Sequence, residues 1–362
     1  MYAKLFCLVY LSFSLSVACS NKSEKDNAAT SQIKNPILNI KNRSPTSVLN
    51  YFDSLIQNNQ VIAGQHLGDG ADEVGDYYDR FVTPVKRKTG KTIALIGADF
   101  GWKDTESYPI DALVGHWNKG GLITISWHAD NPFAEGAHKV RTNSVENQDQ
   151  INLRALLKQA PTSKAKQIYR SELHKVAVAL QRLKKEGVTV IWRPFHEMNA
   201  DWFWWGIDAY SGLETNPDDY IALWKDMVQT FKEDYDLDNL LWVYSPAEFY
   251  GWNSELLAYY PGDNWVDIVG MSYYGPAPDF KDYEILRTTG KTIALTEAGP
   301  NEESYGKWDE AILAKKLQGK AAYFLQWHSW AGASVAIKDN LNMHELMNSP
   351  NVITLEDIAT TQ

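Results

Sequence analysis

Two glutamates, Glu197 and Glu297, each follow a run of apolar residues, a position in which a partly buried carboxyl group could act as an acid or a base. Glu197 follows an apolar run within WRPFHEMNADWFWWG (192–206), and Glu297 follows a second apolar run, IALT. Two carboxyl groups in one cleft can cleave a glycosidic bond when one is protonated and the other is ionised. Indole rings near Glu197 would favour its protonated form, whereas donors such as Arg193 or Tyr274 would favour the ionised form of Glu297.

Other catalytic patterns are absent from the sequence. HEMN lacks the second histidine of a zinc-binding HExxH motif, because that position is Ala200, and no GxSxG motif occurs. No metal and no cofactor are therefore expected. A formal net charge of -10 argues against nucleic acid as a partner. Glu248 and Asp99 also follow apolar runs, but a single acid at a strand end is usually solvated or ion-paired.

Eight short apolar runs recur along the chain, and such runs suit strands buried on both faces of a parallel sheet. Apolar residues at helical spacing predict helices over segments such as 171–187 and 218–234. This alternation predicts a single-domain α/β fold, a (β/α)8 TIM barrel over residues 45–355. The predicted strands are 61–66, 92–100, 122–128, 188–197, 239–246, 266–274, 292–299 and 321–330.

A barrel carries its active site at the carboxyl ends of its strands. Glu197 and Glu297 are 100 residues apart (297 − 197), which corresponds to three strand–helix units and places them on strands four and seven, across the mouth. The long connection 129–170 predicts an active-site loop. The strand ends also carry rings, several of which could stack on a sugar: His66, Phe100, Trp102, Trp127, His128, His196, Tyr273, Tyr274, Trp327, His328 and Trp330.

The motif RPFHEMNADWFWWG resembles glycoside hydrolase family 26, whose members are chiefly β-mannanases. GQH, SWHADNP, VDIVGMSYYG, LTEAG and FLQWHSW extend the resemblance over about residues 45–350. It implies a (β/α)8 barrel and a retaining, double-displacement mechanism. The expected reaction is endo-cleavage of β-1,4-mannosidic bonds in mannan, galactomannan and manno-oligosaccharides.

The resemblance also implies roles for individual residues. Glu197 is the implied acid/base and Glu297 the implied nucleophile. His196 is similar to a residue that helps orient the nucleophile, and Tyr274 to a tyrosine hydrogen-bonded to it. Trp202 is similar to the aromatic beside the acid/base and the leaving sugar.

Further residues of the resemblance concern the sugar subsites. His128 and Trp327 are similar to the residues that form the floor of the −1 sugar site. Ser272, where Asp is frequent, and His328, where Arg is seen in some members, depart from the family pattern and leave chain-length preference open. Trp205 could contact a sugar or pack behind its loop.

Two alternatives to a mannanase stay open. A β-glucanase or β-1,3-xylanase of the same family would use the same catalytic pair, and contacts to the 2-hydroxyl would separate them. A catalytically silent glycan-binding barrel could share the aromatic rim, but it would have no reason to keep both glutamates. A monomer is expected.

Residues 1–18 predict a signal peptide, because a lysine precedes an apolar run that is too short to span a bilayer. Val-Ala-Cys resembles the end of a bacterial lipoprotein signal, which would make Cys19 a lipid anchor and the chain's link to a membrane. Residues 19–44 predict a flexible tether. Cys7 would leave with the signal, so no disulfide is expected. Export to the bacterial envelope follows, with the periplasm favoured over the outer surface because no acidic run follows Cys19.

Overall fold

The computed structural model describes residues 43–101, 108–134, 151–200, 202–206, 216–248 and 256–359, all within one compact unit, Asn35–Gln362. Its strands are β1 (Val61–Asp69), β2 (Leu95–Asp99), β3 (Leu122–Trp127), β4 (Val190–Pro194), β5 (Leu240–Tyr244), β6 (Ile268–Gly275), β7 (Thr292–Pro300), β8 (Tyr323–Gln326) and β9 (Val352–Ile353). Strands β1 to β8 pair in parallel in chain order, and β1 pairs with both β2 and β8. The described strands therefore close into the predicted (β/α)8 barrel.

The helices follow the strands as a (β/α)8 barrel requires. Those of the described residues are α1 (Pro45–Gln57), α2 (Gly70–Tyr77), α3 (Thr83–Thr89), α4 (Ile110–Asn118), α5 (Lys164–Lys185), α6 (Pro217–Asp234), α7 (Tyr283–Leu286), α8 (Glu310–Leu317), α9 (Met343–Met347) and α10 (Leu355–Ala359). Side chains of four residues accept a backbone N–H at a helix start, namely Ser44, Ser163, Asn216 and Asp309. These caps satisfy donors that the helices cannot pair themselves.

Burial explains why the strand sequences are continuously apolar. Every residue of β2, β3, β4, β5, β7 and β8 is buried, because the barrel interior covers one face and the helices cover the other. The charged residues of these strands, Asp99, Arg193 and Glu297, lie toward their carboxyl ends. The strands therefore bring these three buried residues to the barrel mouth.

The observed element bounds differ from the predicted ones in instructive places. β4 ends at Pro194 instead of continuing to Glu197, and β8 ends at Gln326 instead of residue 330. In both places the chain leaves the sheet to build the mouth while its sequence stays rich in aromatic residues. β9 was not predicted, because two residues carry no periodicity, and it pairs with the first residues of β1.

The predicted signal peptide, Cys19 and nearly all of the predicted tether lie outside the described residues. Within the predicted tether, Arg43 is packed on the barrel: its guanidinium donates to the carbonyls of Trp117 (2.6 Å) and Gly121 (2.8 Å) and lies 3.5 Å from the centroid of the Trp117 ring. In the part of the chain that is described, no helix is both long and apolar enough to cross a membrane.

Candidate active site

Glu197 lies in a strained turn directly after β4. Phe195 and Glu197 have φ values of 46° and 58°, a left-handed conformation that is costly for residues other than glycine. The Glu197 N–H donates to the carbonyl of Ser245 at 2.7 Å. The Asn199 amide exchanges hydrogen bonds of 2.7 and 2.8 Å with the backbone of Ala247. These bonds tie the turn to the segment after β5 and hold the strained conformation.

The surroundings of the Glu197 carboxyl favour its protonated form. The residue is 7% exposed, and the indole Nε1 of Trp202 donates to Oε2 at 2.7 Å. Burial, followed by the negative charge of Glu297, raises the pKa of Glu197 to about 7. A carboxyl with this pKa can give up its proton near neutral pH, as a general acid must.

Glu297 on β7 accepts a hydrogen bond at each of its two carboxyl oxygens. Arg193 reaches across from β4, and its Nη2 donates to Oε2 at 2.5 Å. The Tyr274 hydroxyl donates to Oε1 at 2.9 Å. Burial and the neighbouring carboxylates raise the pKa of Tyr274 well above its usual range, so it stays a donor. Both oxygens of Glu297 thus accept a bond that stabilises the carboxylate.

His128 lies in a buried hydrogen-bonded chain at the end of β3. Its Nδ1 is 2.6 Å from Asp99 Oδ2, and its Nε2 is 3.1 Å from His196 Nε2. Asp99 also accepts a 2.5 Å bond from the Ser126 hydroxyl. Burial opposes ionisation of Asp99, but the His128 ring and the hydrogen bonds from His128 and Ser126 outweigh it and lower the pKa. Asp99 therefore fixes the orientation of the His128 ring.

The ring of His196 contacts His128. The hydrogen bonds described for the Glu297 carboxyl group come from Arg193 and Tyr274. Burial, then the charge of Arg193, lowers the pKa of His196 well below its usual range, so its ring is neutral. Its carbonyl accepts a 2.8 Å bond from the indole of Trp205, which is fully buried. Trp205 therefore packs behind the loop, as one of the two sequence interpretations had it.

Trp327 forms an aromatic stack on the β8 side of the mouth. Its ring is partly exposed and lies 3.6 Å from the ring of buried His66, at an interplanar angle of 13°. His128 approaches the same indole edge-on, at 6.2 Å. His66 Nδ1 lies 2.9 Å from His328 Nδ1. The stack gives Trp327 a rigid support beside the catalytic pair.

Two more residues singled out in the sequence have clear positions. Glu248 forms an ion pair with Lys281 at 3.3 Å, which agrees with the ion-paired interpretation. Ser272 is the register partner of Glu297 in the β6–β7 pairing and is 3% exposed. This departure from the family pattern therefore lies beside the catalytic pair.

The structure places all seven predicted site residues at the carboxyl end of the barrel, and it adds supporting groups. The seven are His128, His196, Glu197, Trp202, Tyr274, Glu297 and Trp327. Asp99 pairs with His128, in agreement with the ion-paired interpretation, and His66 stacks on Trp327. The identity of both partners depends on cross-strand contacts that a sequence does not display. Among the residues described, no group of three or more His, Cys, Asp or Glu is arranged to hold a metal ion.

Comparison with known proteins decides the family. A family model described as Glycosyl hydrolase family 26 matches residues 39–357. The chain belongs to glycosyl hydrolase family 26. The match spans the whole described barrel except its last two residues, so the site geometry above belongs to a family 26 fold.

Several known proteins are similar to the chain over long stretches. Mannan endo-1,4-beta-mannosidase A and B of Caldalkalibacillus mannanilyticus is 32% identical over 330 residues, 87% of this chain and 61% of that protein. Mannan endo-1,4-beta-mannosidase of Bacillus subtilis strain 168 is 32% identical over 290 residues, 74% of this chain and 77% of that protein. The solved structure of Bacillus subtilis mannanase BCman has a TM-score of 0.74 and 27% identity, covering 88% of this chain and 95% of that one. The chain thus spans less than two thirds of the first relative.

Proposed function

We propose that this family 26 protein is a retaining, endo-acting mannan endo-1,4-β-mannosidase. The observation that carries the proposal is the contrast between two buried glutamates. Glu197 has a pKa raised to about 7, whereas Glu297 accepts bonds from Arg193 and Tyr274 that stabilise its carboxylate. Opposed protonation states of two carboxyl groups are what glycoside hydrolysis requires.

The proposed reaction proceeds in two displacements. Glu297 attacks the anomeric carbon while Glu197 gives its proton to the leaving glycosidic oxygen, so that the glycosidic bond breaks as the glycosyl–enzyme bond forms. Glu197, now ionised, removes a proton from water, which attacks the anomeric carbon and releases Glu297. Two inversions leave the configuration unchanged. Trp202, which donates a hydrogen bond to Glu197, would contact the leaving sugar.

The names of the relatives support mannan as the substrate. Both relatives at 32% identity are mannan endo-1,4-beta-mannosidases. Linear mannan, galactomannan and manno-oligosaccharides are accordingly the proposed substrates. His128 and Trp327 would floor the −1 sugar site, and the Asp99 bond and the His66 stack would hold their rings in place.

We also propose an envelope location for the protein. The predicted signal at residues 1–18 and the lipid anchor at Cys19 would tether a monomeric barrel, with the periplasm favoured over the outer surface. Metabolic labelling with a palmitate analogue tests the anchor, and Cys19→Ala should release the protein into the soluble fraction. Incorporation that persists in Cys19→Ala would contradict the assignment.

One product profile tests the substrate and the reaction together. The purified barrel would be incubated with linear mannan, galactomannan, mixed-linkage glucan and β-1,3-xylan, and the released sugars resolved over time. We expect a ladder of manno-oligosaccharides whose reducing ends first appear in the β configuration by NMR. Products from glucan or xylan alone would show that the substrate is that polysaccharide and not mannan. Binding without products would favour the silent glycan-binding barrel.

A further inference from the structure

Trp330 and Tyr305 form an aromatic pair on the loops that follow β8 and β7, in which Trp330 is exposed and Tyr305 is half-buried. The Trp330 side chain is 43% exposed, whereas most tryptophans of the described residues are buried. The two ring centroids lie 5.9 Å apart with an interplanar angle of 80°, so the Tyr305 and Trp330 rings meet edge to face. The pair thus presents one flat aromatic face, that of Trp330, to solvent.

The backbone that carries Trp330 is well fixed. Trp330 and Ala333 exchange two backbone hydrogen bonds of 3.2 and 3.1 Å across a tight turn. The buried hydroxyl of Ser329 accepts the N–H groups of Val335 and Ala336, each at 2.8 Å. Binding a ligand on Trp330 would therefore order little backbone, which lowers the entropic cost of association.

The pair lies next to the catalytic cleft. Trp330 follows Trp327 by three residues, which an extended chain spans in at most about 11 Å. The N–H of Gly306 donates to the carbonyl of Ser334 at 2.9 Å, so the loop of Tyr305 is tied to the loop of Trp330. Trp330 therefore lies on the same loop as Trp327, within about 11 Å of it along the chain.

The position of the pair relative to the acid/base indicates which part of a substrate would reach it. Glu197 lies on the β4 side of the mouth. The leaving sugar lies on that side as well, because its glycosidic oxygen takes the proton of Glu197. The retained sugar chain then extends toward the opposite side, where the loops after β7 and β8 lie. Trp330 and Tyr305 stand on these loops.

We propose that Trp330, supported edge-on by Tyr305, is a distal glycone-side platform for one hexose unit of a β-1,4-linked mannan chain. This inference rests on the proposed function and deepens it. The flat indole face would stack on the apolar C–H face of the sugar ring, and an exposed site tolerates substituents on the sugar edges. The platform favours chains that are long enough to reach from the catalytic pair to Trp330, because a shorter chain does not gain the contact.

Chain-length dependence tests the platform. Trp330→Ala should lower kcat/KM on mannohexaose and polymeric mannan about fivefold and leave kcat/KM on mannotriose unchanged, whereas Trp330→Phe should retain most of the activity on long chains. Ile312→Ala is a matched control, because it shortens a side chain of similar exposure, 46%, on α8. An equal loss on all lengths, or no loss on any, would overturn the platform.

Binding measured without cleavage separates this inference from the proposed function. The Glu297→Ala variant with and without Trp330→Ala would be compared by affinity electrophoresis in gels that contain mannan, glucan or xylan. We expect Trp330→Ala to weaken retardation in the mannan gel. Wild-type protein that cuts none of the mannans would refute the proposed function alone, and retardation unaffected by Trp330→Ala in every gel would refute the platform alone.

Discussion

Arg193 on β4 and Glu297 on β7 form a salt bridge across the barrel interior, with 2.5 Å between Nη2 and Oε2 and side chains that are 1% and 7% exposed. Both charges are removed from water, so each depends on the other for stabilisation. The pair therefore links stability to the proposed chemistry, because the carboxylate that would attack the sugar is also half of a buried ion pair.

Removing the cation of this pair should be costly. We expect Arg193→Met to lower the free energy of unfolding by about 3–5 kcal/mol, because it leaves a buried carboxylate without its counter-charge. The double variant Arg193→Met/Glu297→Gln should lose less than the sum of the two single losses. Urea unfolding of the four proteins gives the comparison, and additive losses would show that the two side chains do not stabilise each other.

The Tyr274 hydroxyl should contribute to the activity of Glu297. Tyr274→Phe removes one donor to a charged acceptor, a bond of about 1.5–3 kcal/mol, so we expect kcat/KM on mannan to fall about 10- to 100-fold. Tyr273→Phe is the matched control, because the neighbouring hydroxyl donates at 2.8 Å to the Ala277 carbonyl and not to the catalytic pair. Equal losses in the two variants would contradict a specific role for Tyr274.

The pH dependence of activity should follow the protonation of Glu197. Its pKa is raised to about 7, so the acid is protonated below that pH, and kcat/KM should fall as the pH rises through about 7. The Trp202 hydrogen bond favours the ionised carboxylate, so Trp202→Phe should move this basic limb to higher pH. A limb that stays in place in Trp202→Phe would mean that another group produces it.

The two glutamates should respond differently to truncation. Glu297→Ala should abolish turnover of every substrate, because no nucleophile remains. Glu197→Ala should retain activity on aryl mannosides with good leaving groups, which need no proton, and added azide should accelerate it by replacing the water that needs base catalysis. If Glu197→Ala lost activity equally on activated and natural substrates, Glu197 would not be the acid/base.

Much of the barrel and the catalytic pair could be predicted, because their signals are local. Each of the eight buried strands appears in the sequence as an apolar run, and Glu197 and Glu297 follow two of these runs. Strand ends were less predictable, since the chain stays buried after Pro194 while it turns into the strained conformation of Phe195 and Glu197. Hydrophobicity reports burial, and burial continues through this turn.

Contacts across the mouth were the least predictable part of the site. Nothing in the local sequence of GADF indicates that Asp99 binds His128, and nothing in GQH indicates that His66 stacks under Trp327. Such pairs depend on barrel closure and on the register between strands. The contact between the rings of His196 and His128 depends on the same register. The donors to Glu297 are the exception, because Arg193 and Tyr274, both predicted from the sequence, do donate to it.

Glu197 should reduce stability at neutral pH, a cost expected of a buried general acid. Its pKa in the folded protein, about 7, lies above the usual 4.5, so between these values the folded state binds more protons than the unfolded state. Stability from this group is therefore complete below about pH 4.5 and is lost as the pH rises through about 7, with a total change of about 3 kcal/mol. Glu197→Gln, which cannot ionise, should unfold at higher urea concentration than wild type at pH 8, and the difference should shrink at pH 5. A constant difference between the two pH values would show that the ionisation of Glu197 is not the source of the lost stability.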